Sequence, residues 1–150
     1  MNERPIEVLI VEDNEADVHL TVTALRDARA TNEIHVVADG EQAIEFLKRE
    51  GAYSDAPLID LILLDLNLPK KDGFQVLEEM RADPVLKDTP VIVVSSSDRE
   101  ADIARAYGLK IAAYLVKPFN VDDYFSAIRA VKELWFHSVA PLPRRAAGSG

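Results

Sequence analysis

Four apolar runs in the chain stop at residues capable of chemistry. IEVLIV (6–11) leads into Glu12 and Asp13, and LILL (61–64) into Asp65. VIVV (91–94) leads into Ser95, and YLV (114–116) into Lys117 and Pro118. If those ends converge, three carboxylates, a hydroxyl and an ammonium share one pocket. Carboxylates in contact raise one another's pKa unless a cation lies between them. With oxygen the only ligand type and neither Cys nor His in the set, a hard ion is favoured, Mg²⁺ first. Mg²⁺ keeps several waters and recruits phosphate oxygens to complete its octahedron. Lys117 would then offset charge on a phosphoryl group, and Ser95 would donate a hydrogen bond to it. Each residue alone has a plainer use: a helix-dipole acid (Asp13), a solvated strand end (Asp65), a turn hydroxyl (Ser95), a surface lysine (Lys117). The recurrence at four separate strand ends outweighs those uses.

Convergence needs a particular fold, and the pattern of the chain supplies it. Continuous apolar runs at 6–11, 34–38, 61–65, 90–95 and 111–116 read as five strands. Between and after them lie helical stripes: Val18, Val22 and Leu25; Ile44 and Leu47; Leu77 and Met80; Ile103 and Tyr107; and finally Val121, Tyr124, Phe125, Ile128, Val131 and Leu134. Asp39, Asp72, Ser97 and Asn120 are expected N-caps, each followed three positions later by an acid or amide. Strands that are apolar throughout are buried on both faces, which implies a parallel sheet between two helical layers. Right-handed crossovers then favour a five-stranded, doubly wound α/β sheet, whose sites form at the carboxyl ends of the strands. The stretch REGAYSDAP (49–57) reads as a loop.

The 150 residues suffice for one domain. The expected division is a domain over 1–138, then a proline-containing arm and tail over 139–150 whose final Gly-Ser-Gly has the look of a cloning scar. The chain has no cysteine, which excludes disulfides and thiol chemistry and suits a reducing cytoplasm. A net charge of −9 argues against nucleic acid as a partner. No apolar run reaches membrane-spanning length, and MNERPIE lacks the apolar stretch of a signal peptide.

The motifs VED (11–13), LLDLNLPKKDG (63–73), VIVVSSSD (91–98) and YLVKPF (114–119), in this order and spacing, resemble the receiver domain of two-component response regulators. The resemblance runs from Ile6 to Leu134 and implies a flavodoxin-like (βα)5 receiver fold. It implies that Asp65 accepts a phosphoryl group from a sensor histidine kinase. Glu12, Asp13, Asp65 and the backbone carbonyl of Asn67 would hold Mg²⁺. Ser95 would be the switch hydroxyl, Tyr114 the switch aromatic and Lys117 the phosphate-contacting lysine. The Lys117–Pro118 bond would be cis. Phosphorylation would bias a surface around the fourth helix, fifth strand and fifth helix. The fourth helix, with Ala101, Ala104 and Ala106 beside Ile103, should be weakly anchored.

One departure stands out. Lys110 occupies a position, four before Tyr114, where many receivers have glycine, which puts the loop before the fifth strand in question. VEDNEADVHL, REGAYSDAP and AVKELWF leading to PLP are similar to the small regulators paired with phytochrome-type kinases. That similarity implies light input through a bilin-bearing kinase, with no chromophore here. No DNA-binding or enzymatic segment follows, so a stand-alone regulator is expected. Trp135, Phe136, Val139 and Leu142 exceed the stripe needed to cover the sheet and point to a homodimer. His19, His35 and His137 are read as incidental, lacking acid partners.

Other functions fit less well. A Mg²⁺-dependent phosphohydrolase of the haloacid-dehalogenase type also uses a strand-end aspartate, but needs a second acid where this chain has Asn67. A flavin module needs a Gly/Ser/Thr phosphate loop where EDNEAD stands. A pseudo-receiver that is never phosphorylated would not need the full set of site residues.

Overall fold

Strands β1 (Ile6–Val11), β2 (Asn32–Val37), β3 (Leu61–Asp65), β4 (Val91–Ser95) and β5 (Ala113–Val116) pair as one parallel sheet in the order β2-β1-β3-β4-β5. The structure, a computed structural model, describes residues 6–27 and 32–117, together with residues 122, 125, 126 and 129. Helices α1 (Glu15–Asp27), α2 (Gly40–Lys48), α3 (Gly73–Ala82) and α4 (Glu100–Gly108) connect the strands. Most of the fifth expected helix lies outside the described residues; within it, Phe125 is helical and packs half-buried on the α1 side of the sheet.

Strand alternation sorts the core into two layers. Val8, Ile10, Leu61, Leu63, Ile92 and Val94 meet Ala24 and Leu25 of α1 on one face. Leu9, Val11, Ile62, Leu64, Val91 and Val93 meet Ile44 and Leu47 of α2 and Val76, Leu77 and Met80 of α3 on the other. All five residues of β3 and of β4 are buried, as a central parallel strand requires. Each fully buried aliphatic side chain contributes about 2 kcal/mol, so these strands hold the position of their own ends firmly.

The expected caps hold in part. Asp72 and Gln75 form a reciprocal capping box at α3. Asp39 caps α2 by accepting from the Gln42 N–H at 2.8 Å, while Gln42 reaches back to the Ala38 N–H at 3.2 Å. Ser97 does not cap α4. That helix starts at Glu100, and the residue before it, Arg99, makes no side-chain cap. Along α4 the buried residue is Ala106, while Tyr107, expected on the apolar stripe, is 50% exposed. The loop at 49–57 contains a 3-10 turn, Gly51–Tyr53, whose Tyr53 ring sits 5.2 Å from that of Phe46.

The loop before β5 keeps its turn despite the missing glycine. Lys110 takes up a left-handed conformation, φ 66°. β5 begins at Ala113, two residues later than expected, because the chain turns at Lys110 to bury Ile111 before it straightens. Arg81 fixes this turn. Its Nε donates to the Leu109 carbonyl at 2.7 Å and its Nη2 to that of Lys110 at 3.2 Å. Its Nη1 donates at 3.0 Å to both the Lys87 and Thr89 carbonyls. One guanidinium thus ties down the loops entering β4 and β5. Burial lowers its pKa from the ordinary arginine value, against the opposing charge of Asp88.

A left-handed lysine costs about 1 kcal/mol relative to glycine. Lys110→Gly is therefore expected to raise the melting temperature by roughly 3 °C in thermal unfolding followed by circular dichroism. An unchanged midpoint would mean the turn carries no strain.

Candidate functional site

Strand register brings the four predicted ends together. Val11 pairs with Leu64, Asp65 with Val94, and Ser95 with Val116. Glu12 and Asp65 therefore stand side by side, with Ser95 and Lys117 beyond them. The Glu12 N–H donates to the Val37 carbonyl at 3.0 Å, and the Lys117 N–H to that of Ser95 at 2.7 Å, extending the ladders past the strand ends. Gly73 lets α3 close under the site. A Cβ there would lie 2.6 Å from Leu66 Cα and 2.7 Å from the Asp65 carbonyl oxygen. No side chain fits in that space.

Oxygens of Glu12, Asp13 and Asp65 lie within 4.8 Å of one another; Glu12 and Asp65 are buried and Asp13 is exposed. Three carboxylates with oxygen-only donors suit a hard divalent cation. Lys117 Nζ donates to Asp17 Oδ2 at 2.7 Å, Glu12 Oε1 at 2.9 Å and Asp65 Oδ2 at 3.3 Å. The Asn67 N–H holds Asp65 Oδ1 at 2.9 Å, and its side-chain amide donates to Ser96 Oγ at 3.2 Å. An open groove leads outward from Asp13, Asn67 and Ser95 toward Arg99 and Arg105.

Ser95 is fully buried, and its Oγ accepts from the Ser97 N–H at 3.1 Å, leaving its own O–H to donate. The Tyr114 hydroxyl donates to the Ser97 carbonyl at 2.9 Å. Ser97 Oγ donates to Asp102 Oδ2 at 2.5 Å, and Arg99 Nε and Nη2 reach the same oxygen at 3.2 Å. Ser97 Oγ in turn accepts from the Arg99 N–H at 3.3 Å, two residues on, so it serves the turn before α4 rather than the helix end. The Ser97 hydrogen bond holds the Asp102 carboxyl below the usual range against desolvation, with Arg99 adding to the lowering.

Three features escaped the sequence reading. Asp17 was missed because its partner, Lys117, lies 100 residues away across the α1–β5 gap. Its one local signal is a place a helical turn beyond Asp13. Arg81 was missed because its partners are backbone carbonyls, which leave no pattern of residue types. His35 does have an acid partner: Nε2 lies 2.8 Å from Glu7 Oε1, a diagonal contact visible only once Glu7 is registered against Glu33. The cis bond expected at Pro118, the cap expected at Asn120 and the residues expected on a dimer surface, Trp135, Phe136 and Leu142, lie outside the described residues. Among the described residues no helix is long and apolar enough to cross a membrane.

The chain belongs to the response regulator receiver domain family, whose sequence profile matches residues 8–129. It is 39% identical over 135 residues to response regulator Rcp1 of Synechocystis sp., covering 90% of this chain and 92% of that protein. It is 35% identical to a probable methanogenesis regulatory protein, FilR2, of Methanothrix harundinacea, covering 89% and 85%. The phosphorylated cyanobacterial phytochrome response regulator RcpA superposes with a TM-score of 0.83 at 43% identity, covering 93% of this chain and 99% of that one. The Mn²⁺-bound form of Rcp1 gives a TM-score of 0.81 at 39% identity, covering 89% and 96%. The five-stranded parallel α/β architecture is the flavodoxin-like receiver fold, and the family is one of signalling receivers rather than catalytic enzymes.

Burial pushes the Glu12 carboxyl up to about 7; Lys117 opposes this, while hydrogen bonding and charge from Asp65 add to it. Burial alone would lower Lys117, but its hydrogen bonds to Asp17 and Glu12 and the charges of Asp65 and Glu12 hold it above its ordinary value. A folded-state carboxyl raised in this way stabilises the fold below the ordinary glutamate value. That contribution is lost as pH rises through about 7. The metal-free protein is expected to lose urea resistance between about pH 4.5 and about pH 7. Glu12→Gln should flatten that dependence; an undiminished slope would assign it to another group.

Proposed function

We propose that Asp65 accepts a phosphoryl group from the phosphohistidine of a partner sensor histidine kinase, and that this chain catalyses only its own phosphorylation and dephosphorylation. The observation that carries the reading is the Lys117 ammonium, 3.3 Å from Asp65 Oδ2, on a pocket rimmed by Glu12 and Asp13. In the transfer a carboxylate oxygen of Asp65 forms the new O–P bond, the P–N bond to the donor imidazole breaks, and the imidazole leaves with its electron pair. Lys117 offsets charge on the transferring oxygens. Mg²⁺, held by Glu12, Asp13, Asp65 and the Asn67 carbonyl, would supply charge neutralisation on those same oxygens. The oxygen-only donor set fits that ion.

The acyl phosphate presents new acceptors to the free Ser95 O–H. A change at Ser95 reaches Tyr114 through Ser97, which hydrogen-bonds both, and so biases the α4–β5 surface and the helix after it. Relatives named as phytochrome response regulators support a phytochrome-type kinase as the donor, and the cysteine-free sequence suits the cytoplasm as the compartment. The protein is read as a receiver over 1–138 that binds no nucleic acid, with an arm over 139–150. Its apolar residues Trp135, Phe136 and Leu142 support a homodimer.

Asp65→Asn is expected to abolish labelling by acetyl phosphate with Mg²⁺ while leaving the circular dichroism spectrum intact; persistent labelling would identify another acceptor. Multiple turnover on small phosphoesters would instead favour the phosphohydrolase, for which Asn67 offers no general acid. Removal of residues 135–150 should shift the sedimentation profile toward monomer, and an unshifted profile would remove the dimer reading.

A further inference from the structure

The ammonium of Lys117 has three donors and three carboxylate acceptors. Two of those acceptors, Glu12 and Asp65, belong to the carboxylate group suited to a cation; Asp17 does not. Yet Asp17 makes the shortest of the three contacts, 2.7 Å. Its own backbone is fixed, because its N–H donates to Asn14 Oδ1 at 3.0 Å and the Asn14 carbonyl accepts from Val18 N–H at 3.0 Å. The first turn of α1 is thereby closed and the aspartate projects from a rigid base. The pair is partly shielded, with side-chain exposures of 16% for Lys117 and 31% for Asp17.

Lysine is a point charge on a flexible stem, and fixing it costs rotamer entropy. A cation or a phosphoryl group at Glu12 and Asp65 competes with Lys117 for their oxygens and so weakens two of its three anchors. We infer that Asp17 is a positioning residue for phosphoryl transfer: from α1 it holds Lys117 Nζ over Asp65 when the other two carboxylates are occupied. The inference rests on the phosphorylation reading above and adds to it a fourth carboxylate, on a helix rather than a strand end.

The test follows the first-order rate of acetyl phosphate labelling at saturating Mg²⁺, with a second readout that needs no reaction. Asp17→Asn is expected to slow labelling about tenfold, and Asp17→Glu to recover part of the loss. In a Lys117→Gln background Asp17→Asn should cause no further slowing. In the metal-free protein labelled with ¹⁵N-lysine, the Lys117 ammonium protons should be protected from exchange and lose that protection in Asp17→Asn. A wild-type labelling rate in Asp17→Asn, or the same slowing in the Lys117→Gln background, would overturn the inference. If the wild-type protein takes no label at all, the phosphorylation reading fails by itself. The ammonium signal then decides alone, and protection retained in Asp17→Asn overturns the role of Asp17.

Discussion

Acids cannot be gathered at the rim of a buried sheet without a cation among them, and that constraint organises this molecule. Glu12 and Asp65 are buried side by side, and Asp13 lies within reach of both. Lys117 supplies the positive charge, and the cost appears on Glu12, whose carboxyl is pushed up to about 7. A pocket held in this way is poised to exchange its internal cation for an external one, or to admit a phosphoryl group. The apolar strands behind it, buried on both faces, prevent the carboxylates from relaxing apart.

Strand alternation then divides the site between two faces. Glu12, Asp65 and Lys117 share parity with Ile10, Leu63 and Leu115, which pack on the α1 side. Ser95 shares parity with Val93, and Tyr114 packs with the opposite cluster, beside α3 and Ala106 of α4. The acids and the ammonium therefore look toward α1, and the hydroxyl and the aromatic look toward α4. This explains why a carboxylate from α1, Asp17, enters the pocket. It also explains why Ser95, at the end of β4 beside Asp65, is where an event on one face is felt on the other.

Much of this was legible in the sequence because the signals were local. Apolar runs marked β1 and β3 to the residue, and Asp39 and Asp72 marked two helix starts through side-chain hydrogen bonds three positions on. Most of the pocket was legible because Glu12, Asp65, Ser95 and Lys117 each end a strand or directly follow one. What was lost depends on contacts distant in sequence. Ser97 looked like a cap, but its hydroxyl donates to Asp102 and accepts from the Arg99 N–H only two residues on, and α4 starts at Glu100. Lys110 looked like a departure from a glycine turn, yet Arg81 holds the flanking carbonyls and the lysine accepts a positive φ. Asp17 and the Glu7–His35 pair likewise require the register or packing of elements that residue types alone do not reveal.

The anchoring of α4 gives the arrangement its direction. Ala106 is the buried residue of that helix, and its N-terminus lacks a side-chain cap. Few apolar contacts and an open end are the marks of an element that moves at low free-energy cost. Its firmest polar tie to the site is the carboxylate of Asp102 on Ser97, whose N–H binds Ser95 and whose carbonyl binds Tyr114. A displacement of Ser95 therefore pulls on a single residue that holds the aromatic and the helix together. The α1 side is tied down differently, by Asn14 and through Asp17 to Lys117. A change of charge at Asp65 therefore meets polar ties on the face toward α1 and a sparsely anchored helix on the opposite face, where the exposed ring of Tyr107 lies.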